Sequence, residues 1–333
     1  MTTIAFFNNK GGVGKTSLVF HLTWTYVDAG KRVLMVDLDP QSNLTAMCLS
    51  EERLEELWEP PGGKRKSIRG AVQPIVDGIG DIERAHLEHL HDRVAILPGD
   101  IRLAEFEQKL SDAWPRTMDK DPAAFRVASS FHRIIRLAAQ EHEADLVLID
   151  VGPNLGAINR SALIAAEYVV TPLGADLFSI QGLKNLGPSL QAWREEWRDR
   201  LERNPVPELE LPGGRMQPLG YVVMQPNLYG GTVTKAYQRW LCEIPAVYAE
   251  KVLGRGLPEG TTIDTDPCAL GILKHYRSLM PMAQAVRKPI FHLAAADGAI
   301  GAHWSAVQEV RKDFAKLARA IEYRLNGAGT PCE

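Results

Sequence analysis

The sequence contains little cysteine, and its cysteines lie far apart. Only four occur in 333 residues, with no CxxC pair among them: Cys48, Cys242, Cys268 and Cys332. This spacing argues against a zinc site or a disulfide framework, and it fits a reducing cytoplasm. The nine histidines show neither an HxxxH nor an HExxH spacing, so they do not indicate a metal site either.

The chain also lacks a long apolar run and an excess of basic residues. No run reaches membrane-spanning length, and the N-terminus has no basic stretch followed by an apolar core, so we expect neither a membrane span nor a secretory signal. Acidic residues outnumber basic ones by 41 to 38, which gives a formal net charge of −3. Any contact with nucleic acid would therefore have to come from a local basic patch.

What the sequence does contain is an alternation of short apolar runs and amphipathic segments. Strands are predicted at 3–8, 32–39, 93–97, 145–150, 168–172 and 219–224, and helices at about 16–29, 101–112, 122–142, 179–203 and 302–325. The second strand is apolar on both faces, which is typical of parallel sheets covered by helices. We therefore predict an α/β fold, with a doubly wound, mostly parallel sheet of at least six strands and helices on both faces.

The remaining segments predict insertions rather than a second domain. Residues 50–90 contain a Pro/Gly and basic stretch that predicts a mobile, irregular insertion, and residues 228–278 mix short helices with a Gly/Pro-rich segment. No clear linker is present. We expect one domain over 1–333, with insertions at about 50–90 and 228–278 and a C-terminal amphipathic helix at about 302–325.

The first strand runs into a glycine-rich loop that predicts a phosphate-binding site. Glycines let backbone N–H groups turn towards a phosphate, and the helix that follows adds its positive dipole end. Lys15 can reach the β- and γ-phosphates, and the Thr16 hydroxyl can bind magnesium. The ordinary spacing, GxxxxGK(S/T), needs glycine at position 9, but this chain has Asn9 followed by Lys10. The predicted nucleotide-binding residues are Lys10, Gly11, Gly12, Val13, Gly14, Lys15, Thr16 and Ser17.

The stretch KGGVGKT, residues 10–16, resembles the deviant Walker A motif of the ParA/MinD family of P-loop ATPases, which partition plasmids, chromosomes and other cargo. The resemblance implies that Lys15 binds the protomer's own ATP, whereas Lys10 reaches across a homodimer to the partner's nucleotide. A cation delivered only on dimerisation would couple assembly to hydrolysis. The alternative is that Lys10 is a solvated loop lysine.

Two acidic segments extend this resemblance. VDLDPQSN at 36–43 is similar to the family's first switch, and LIDVGP at 148–153 is similar to its Walker B segment. The resemblance implies that Asp39 helps to position water or magnesium and that Asp150 holds a magnesium-bound water, with Asp37 as a supporting carboxylate. Each could instead be a strand-end carboxylate that caps a turn.

Residues that follow the last predicted strand bear on base recognition. In this family an Asn or Asp near that point recognises adenine, so the resemblance implies that Gln225 or Asn227 does so here. The alternative is ordinary turn chemistry.

Basic residues on and just before the last predicted helix are the candidates for DNA contact. They are Arg287, Lys288, Arg311, Lys312, Lys316 and Arg319. Glu309 and Asp313 lie among them and reduce the positive charge of this surface, so the alternative is a solvated helix face with no partner.

As a whole, the resemblance implies a cytoplasmic, nucleoid-associated ATPase that uses ATP and Mg²⁺. It would form a homodimer around ATP, bind double-stranded DNA without sequence preference, and position DNA or other cargo with a ParB-like or other activator protein. The catalytic residues would be Lys10, Asp39 and Asp150, and the magnesium ligands Thr16, Asp39 and Asp150. The alternatives are a metabolic P-loop synthetase or kinase that acts on a small carboxylate, and an ATP-bound adaptor that recruits an effector protein.

Overall fold

A computed structural model describes residues 1–60, 62–224, 235–274, 276 and 278–327. Its strands are β1 (Thr2–Phe6), β2 (Val33–Asp37), β3 (Glu88–His91), β4 (Val94–Leu97), β5 (Leu146–Asp150), β6 (Tyr168–Gly174), β7 (Gln217–Met224) and β8 (Ala269–Leu273). They form one eight-stranded sheet in the order β3-β4-β2-β5-β1-β6-β7-β8. Every ladder is parallel except the one between β3 and β4. The predicted α/β class is confirmed.

Helices cover both faces of this sheet. They are α1 (Lys15–Asp28), α2 (Asn43–Cys48), α3 (Glu51–Trp58), α4 (Ile68–Ala71), α5 (Gln73–Asp77), α6 (Phe106–Arg116), α7 (Pro122–Ala128), α8 (Ser130–Glu141), α9 (Ala157–Ala165), α10 (Leu177–Leu201), α11 (Lys235–Val247), α12 (Leu279–Ala285) and α13 (Ala302–Asn326). Short 3₁₀ turns lie at Ile101–Glu105, Thr117–Asp119, Ile290–His292 and Ala295–Asp297, and a π-helical turn lies at Tyr248–Val252. No helix in these described ranges has both the length and the apolarity needed to cross a membrane.

Alternation along the central strands explains the two layers. In β1, Ile4 and Phe6 pack into the core beneath α1 and α13, whereas Ala5 packs into the core beneath α6, α8, α9 and α10. Both sides are apolar because both are covered, as expected for parallel strands. The carboxyl ends of β1, β2, β5 and β6 therefore meet at one edge of the sheet, which is where open α/β sheets place their ligands.

The segment at 50–90 differs from its predicted irregular character. It contains α3, α4, α5 and the antiparallel edge strand β3. Polar contacts between distant residues hold it: Arg53 pairs with Glu88 at 2.6 Å, and Arg65 pairs with the buried Asp100 at 2.6 Å. Such pairings leave no periodic signal in the sequence, so these elements could not be predicted from its pattern.

The segment at 228–278 also contributes a strand that the sequence did not predict. β8 pairs in parallel with β7 and extends the sheet at one edge. It is only five residues long and is interrupted by Gly271, so its apolar pattern is too short to separate from a loop.

Candidate functional site

The loop between β1 and α1 presents free backbone amides to an open cavity. Gly12 and Gly14 have φ values of 71° and 79°, in the left-handed region that favours glycine. The hydrogen bonds found among the described residues leave the amides of residues 11–14 without an acceptor. Gly14 caps α1 with no side chain. The loop and the helix end can therefore receive an anion.

The cavity in front of this loop has a volume of about 620 Å³. Its walls come from the loop, from the segment after β2 and from the segment after β5. The main polar residues around it are Lys15, Thr16, Ser17, Asp39, Gln41 and Asn43. The structure thus brings together three segments that are far apart in sequence.

Lys15 lies at the base of this cavity. Its ammonium donates to the backbone carbonyls of Asn8 and Lys10, at 3.2 and 3.3 Å. Burial lowers the pKa of Lys15, while Asp150 and Asp39 act to raise it. A cation held in the cleft by two carbonyls is well placed to meet a phosphate seated in the loop.

Asp150 ends β5 as a buried carboxylate without a hydrogen-bond partner of good geometry. It stands beside Asp37 in the β2–β5 ladder. Burial, followed by the charge of Asp37, raises the pKa of Asp150 to about 8, while the Thr16 hydroxyl acts to lower it. An unpartnered buried carboxylate next to a hydroxyl fits a hard cation such as Mg²⁺. Within the described residues no three acidic, histidine or cysteine side chains cluster as a complete metal site, so water and phosphate would have to supply the remaining ligands.

The two aspartates after β2 have different surroundings. Asp37 accepts hydrogen bonds from the Thr45 amide at 2.9 Å and the Thr45 hydroxyl at 2.6 Å, which ties it to α2. Burial raises the pKa of Asp37 to about 7. Asp39 instead lines the cavity, and among the described residues its side chain accepts a hydrogen bond only from the Gln41 amide, at 3.0 Å. A Cβ at position 152 would lie 3.2 Å from Asp39 Oδ1, so Gly152 leaves this carboxylate room.

Lys10 points away from the cavity that Lys15 enters. Its ammonium lies 2.6 Å from Asp176 Oδ2 and 5.9 Å from the centre of the Phe178 ring. Lys10 borders a second cavity of about 380 Å³, whose other walls include Met224, Tyr276, Met280 and Phe314. The sequence pattern did not predict any of these other residues as site residues.

The residues predicted to contact adenine cannot be placed. Gln225 and Asn227 lie outside the described residues. Met224, directly before them, lines the second cavity, so the adenine contact stays a prediction.

The six basic residues proposed for DNA contact divide into two groups. Three have partners in the chain: Arg287 donates to the Leu49 carbonyl at 2.9 Å, Lys288 pairs with Asp297 at 2.9 Å, and Arg311 donates to the Phe291 carbonyl at 2.7 Å. The other three are exposed and form no ion pair or hydrogen bond with any residue that the structure describes: Lys312, Lys316 and Arg319.

Comparisons with known proteins agree with this geometry. Residues 1–203 match a family model described as an AAA domain. The chain is 29% identical over 287 residues to the chromosome-partitioning ATPase Soj of Thermus thermophilus, covering 86% of this chain and 92% of that protein. A crystal structure of a protein from Corynebacterium diphtheriae superposes with a TM-score of 0.73 at 24% identity, covering 99% of this chain and 100% of that one. An ATP complex of McdA from Cyanothece superposes with a TM-score of 0.58 at 15% identity, covering 98% and 96%.

Proposed function

The chain belongs to the AAA-domain family and is a ParA-like P-loop ATPase, and on this premise we propose that it is an ATP-driven dimerisation switch. ATP binding would join two protomers with the nucleotides between them, and hydrolysis would separate them. The ATP-bound dimer would bind double-stranded DNA without sequence preference, and a ParB-like or other activator would stimulate hydrolysis. Its task would be to position or partition DNA or other cargo in the cytoplasm, at the nucleoid.

The observation that carries this proposal is the different direction of the two loop lysines. Lys15 enters the cavity between the loop and the acidic segments, and Lys10 lies on the other side of the loop, 2.6 Å from Asp176. A single bound phosphate chain needs one cation at the base of the loop, and Lys15 supplies it. Lys10 is therefore not needed for that phosphate chain, and it would act on a second nucleotide brought by a second protomer.

Each site residue then has a proposed role. Lys15 and the loop amides would bind the β- and γ-phosphates. Thr16 and Asp150 would hold Mg²⁺, directly or through water, and the ion would neutralise charge on the phosphates. Asp39, which faces the cavity, would orient the attacking water. Lys10 of one protomer would contact the partner's phosphate as charge develops.

The second cavity would hold the base of the nucleotide. Its apolar walls at Met224, Tyr276 and Met280 suit a flat aromatic ring, and the ATP bound to the structurally similar McdA supports a nucleotide in this fold. Gln225 follows Met224 directly and Asn227 lies two residues further on, which keeps them as the proposed adenine contacts. We propose that all of these residues belong to one domain over 1–333.

The Lys15→Ala substitution tests the loop. It should abolish ATP binding, because the cavity loses the cation at its base. Calorimetric titration with ATP and Mg²⁺ measures the affinity, and Lys31→Ala, an exposed lysine just beyond the other end of α1, is the control. Ordinary ATP affinity in Lys15→Ala would refute the assignment of the loop.

The Lys10→Ala and Lys10→Gln substitutions test the dimer switch. ATP binding should stay close to wild type, whereas the ATP-dependent dimer and most hydrolysis should be lost, since Lys10 does not line the cavity that would hold the phosphates of its own protomer's ATP. Light scattering with a slowly hydrolysed ATP analogue measures the dimer. A Lys10→Ala protein that dimerises and hydrolyses like wild type would show Lys10 to be an ordinary loop residue.

A further inference from the structure

In a single protomer the Lys10 ammonium is already bound by a carboxylate of its own chain. Asp176 begins the corner between β6 and α10, and its Oδ2 lies 2.6 Å from Lys10 Nζ. The exposed Phe178 ring covers the same ammonium from one side. Lys10 is thus restrained on the face that a second protomer would approach.

Asp176 is itself fixed in position. It is the N-cap of α10, where Oδ1 accepts the Ser179 amide at 3.0 Å. The Ser179 hydroxyl in turn accepts the Gly174 amide at 3.0 Å. Burial acts to raise the pKa of Asp176, but the hydrogen bonds from Lys10 and the Ser179 amide outweigh it and lower the pKa. The carboxylate is therefore a stationary anchor for the lysine.

The backbone at Lys10 is also held against α10. The Lys10 amide donates to Asn8 Oδ1 at 2.9 Å, and Asn8 Nδ2 donates to the Pro172 carbonyl at 2.7 Å. A Cβ at Gly182 would lie 2.5 Å from Asn9 Oδ1, so α10 packs against this loop at a distance that leaves room only for glycine at position 182. With the backbone fixed, Lys10 can leave Asp176 only by turning its side chain.

We propose that Asp176 is a latch that holds Lys10 within its own protomer and sets the nucleotide requirement for dimerisation. The inference rests on the proposed function, because it assumes that Lys10 acts on the partner's phosphate. Keeping Lys10 on Asp176 while it reaches that phosphate would bring two anions together, which is unfavourable. Each dimer must therefore open two latches, one per protomer.

The size of the effect follows from the exposure of the pair. The Lys10 and Asp176 side chains are 31% and 36% exposed, so solvent screens the pair and it contributes a factor of about three to five. Two latches per dimer give a factor of about ten to twenty-five in the dimerisation constant.

The Asp176→Asn substitution opens the latch and keeps the helix cap, since asparagine caps helices as well as aspartate does. Analytical ultracentrifugation with a slowly hydrolysed ATP analogue should show dimerisation about ten- to twenty-five-fold tighter than wild type, with ATP affinity of the monomer unchanged in calorimetry. The matched control is Asp121→Asn, which replaces another N-cap aspartate that pairs with a basic residue, Arg116, at α7. The control should dimerise like wild type.

The same substitution in a Lys10→Ala background separates the latch from the dimer switch. A latch acts only through Lys10, so the double variant should stay monomeric like Lys10→Ala, and an ATP-dependent dimer of the double variant would refute the latch. If Lys10→Ala dimerises normally, the proposed function fails. If Lys10 is required but Asp176→Asn dimerises like wild type or more weakly, the dimer switch stands and the latch is refuted.

Discussion

Charge reversal on the outer face of α13 tests whether DNA is the surface on which this protein acts. Lys312 and Lys316 are exposed and one helical turn apart, while Phe314 and Leu317 of the same helix are buried in the core. Replacing both lysines by glutamate therefore changes the surface charge without touching the packing. ATP binding should survive, because neither lysine borders either cavity beside the loop.

The magnitude follows from the basic residues that have no partner. Each protomer offers three of them, Lys312, Lys316 and Arg319, so a dimer offers about six phosphate contacts. The slope of log affinity against log salt should then be about −5, and affinity should fall by about three orders of magnitude between 50 and 200 mM salt. The double reversal leaves one arginine per protomer, which should reduce the slope to about −2.

Fluorescence anisotropy with random-sequence duplex DNA would measure these slopes with an ATP analogue, with ADP and without nucleotide. Binding should require the ATP state and should not depend on sequence. The matched control is Lys66→Glu with Lys109→Glu, two exposed lysines outside α13 whose side chains pair with no described residue and that make the same change in charge. Equal binding in all three nucleotide states, no binding at low salt, or an equal loss in the control would refute DNA contact through α13.

Two further predictions concern stability. Gly187→Ala should destabilise the protein by about 1–3 kcal/mol or more, because the new Cβ would lie 1.7 Å from the Lys251 carbonyl oxygen. The control is Gly256→Ala, whose Cβ would lie in open space and should leave the denaturation midpoint unchanged. Equal midpoints for the two variants would contradict the packing of α10. Burial lowers the pKa of His21 to about 4. Between pH 6.5 and 4 the His21 side chain is therefore protonated in the unfolded chain but neutral in the folded chain, so the free energy of unfolding falls as the pH falls through this range. His21→Phe should reduce the loss of unfolding free energy between pH 7 and 5 by about 2 kcal/mol, as measured by urea denaturation. An unchanged pH dependence would show that His21 does not cause this loss.

The central strands and the loop were predictable because their signals are local. A buried parallel strand must be apolar along its whole length, and a phosphate loop must place glycines and a lysine at fixed spacing before a helix. Strands β1, β2, β4 and β5 accordingly lie within their predicted ranges or one residue outside them. The prediction of a ParA-like P-loop ATPase is likewise confirmed by the family match together with the similarity to the partitioning ATPase Soj.

Elements that depend on distant partners were not predictable in this way. The helices α3 to α5 are held by pairs such as Arg53–Glu88, and β8 exists as a strand because β7 lies beside it. Their own sequences carry too few periodic residues to indicate either structure. Helix α13 was predicted, but only the structure showed that its Arg311 donates to the Phe291 carbonyl, whereas Lys312, Lys316 and Arg319 have no ion pair or hydrogen bond with a described residue.

For the site, the sequence by itself determined which chemical groups are present. Two lysines flank three glycines, and aspartates end two buried strands, as local spacing already indicates. Only the tertiary structure decided where those groups point: Lys15 into the cleft with Asp150, and Lys10 onto Asp176, which lies 166 residues further along the chain. The physical reason is that spacing along a strand or helix sets the direction of a side chain relative to its own element, whereas its partner is set by the order of strands in the sheet. That order places the ends of β1, β5 and β6 side by side.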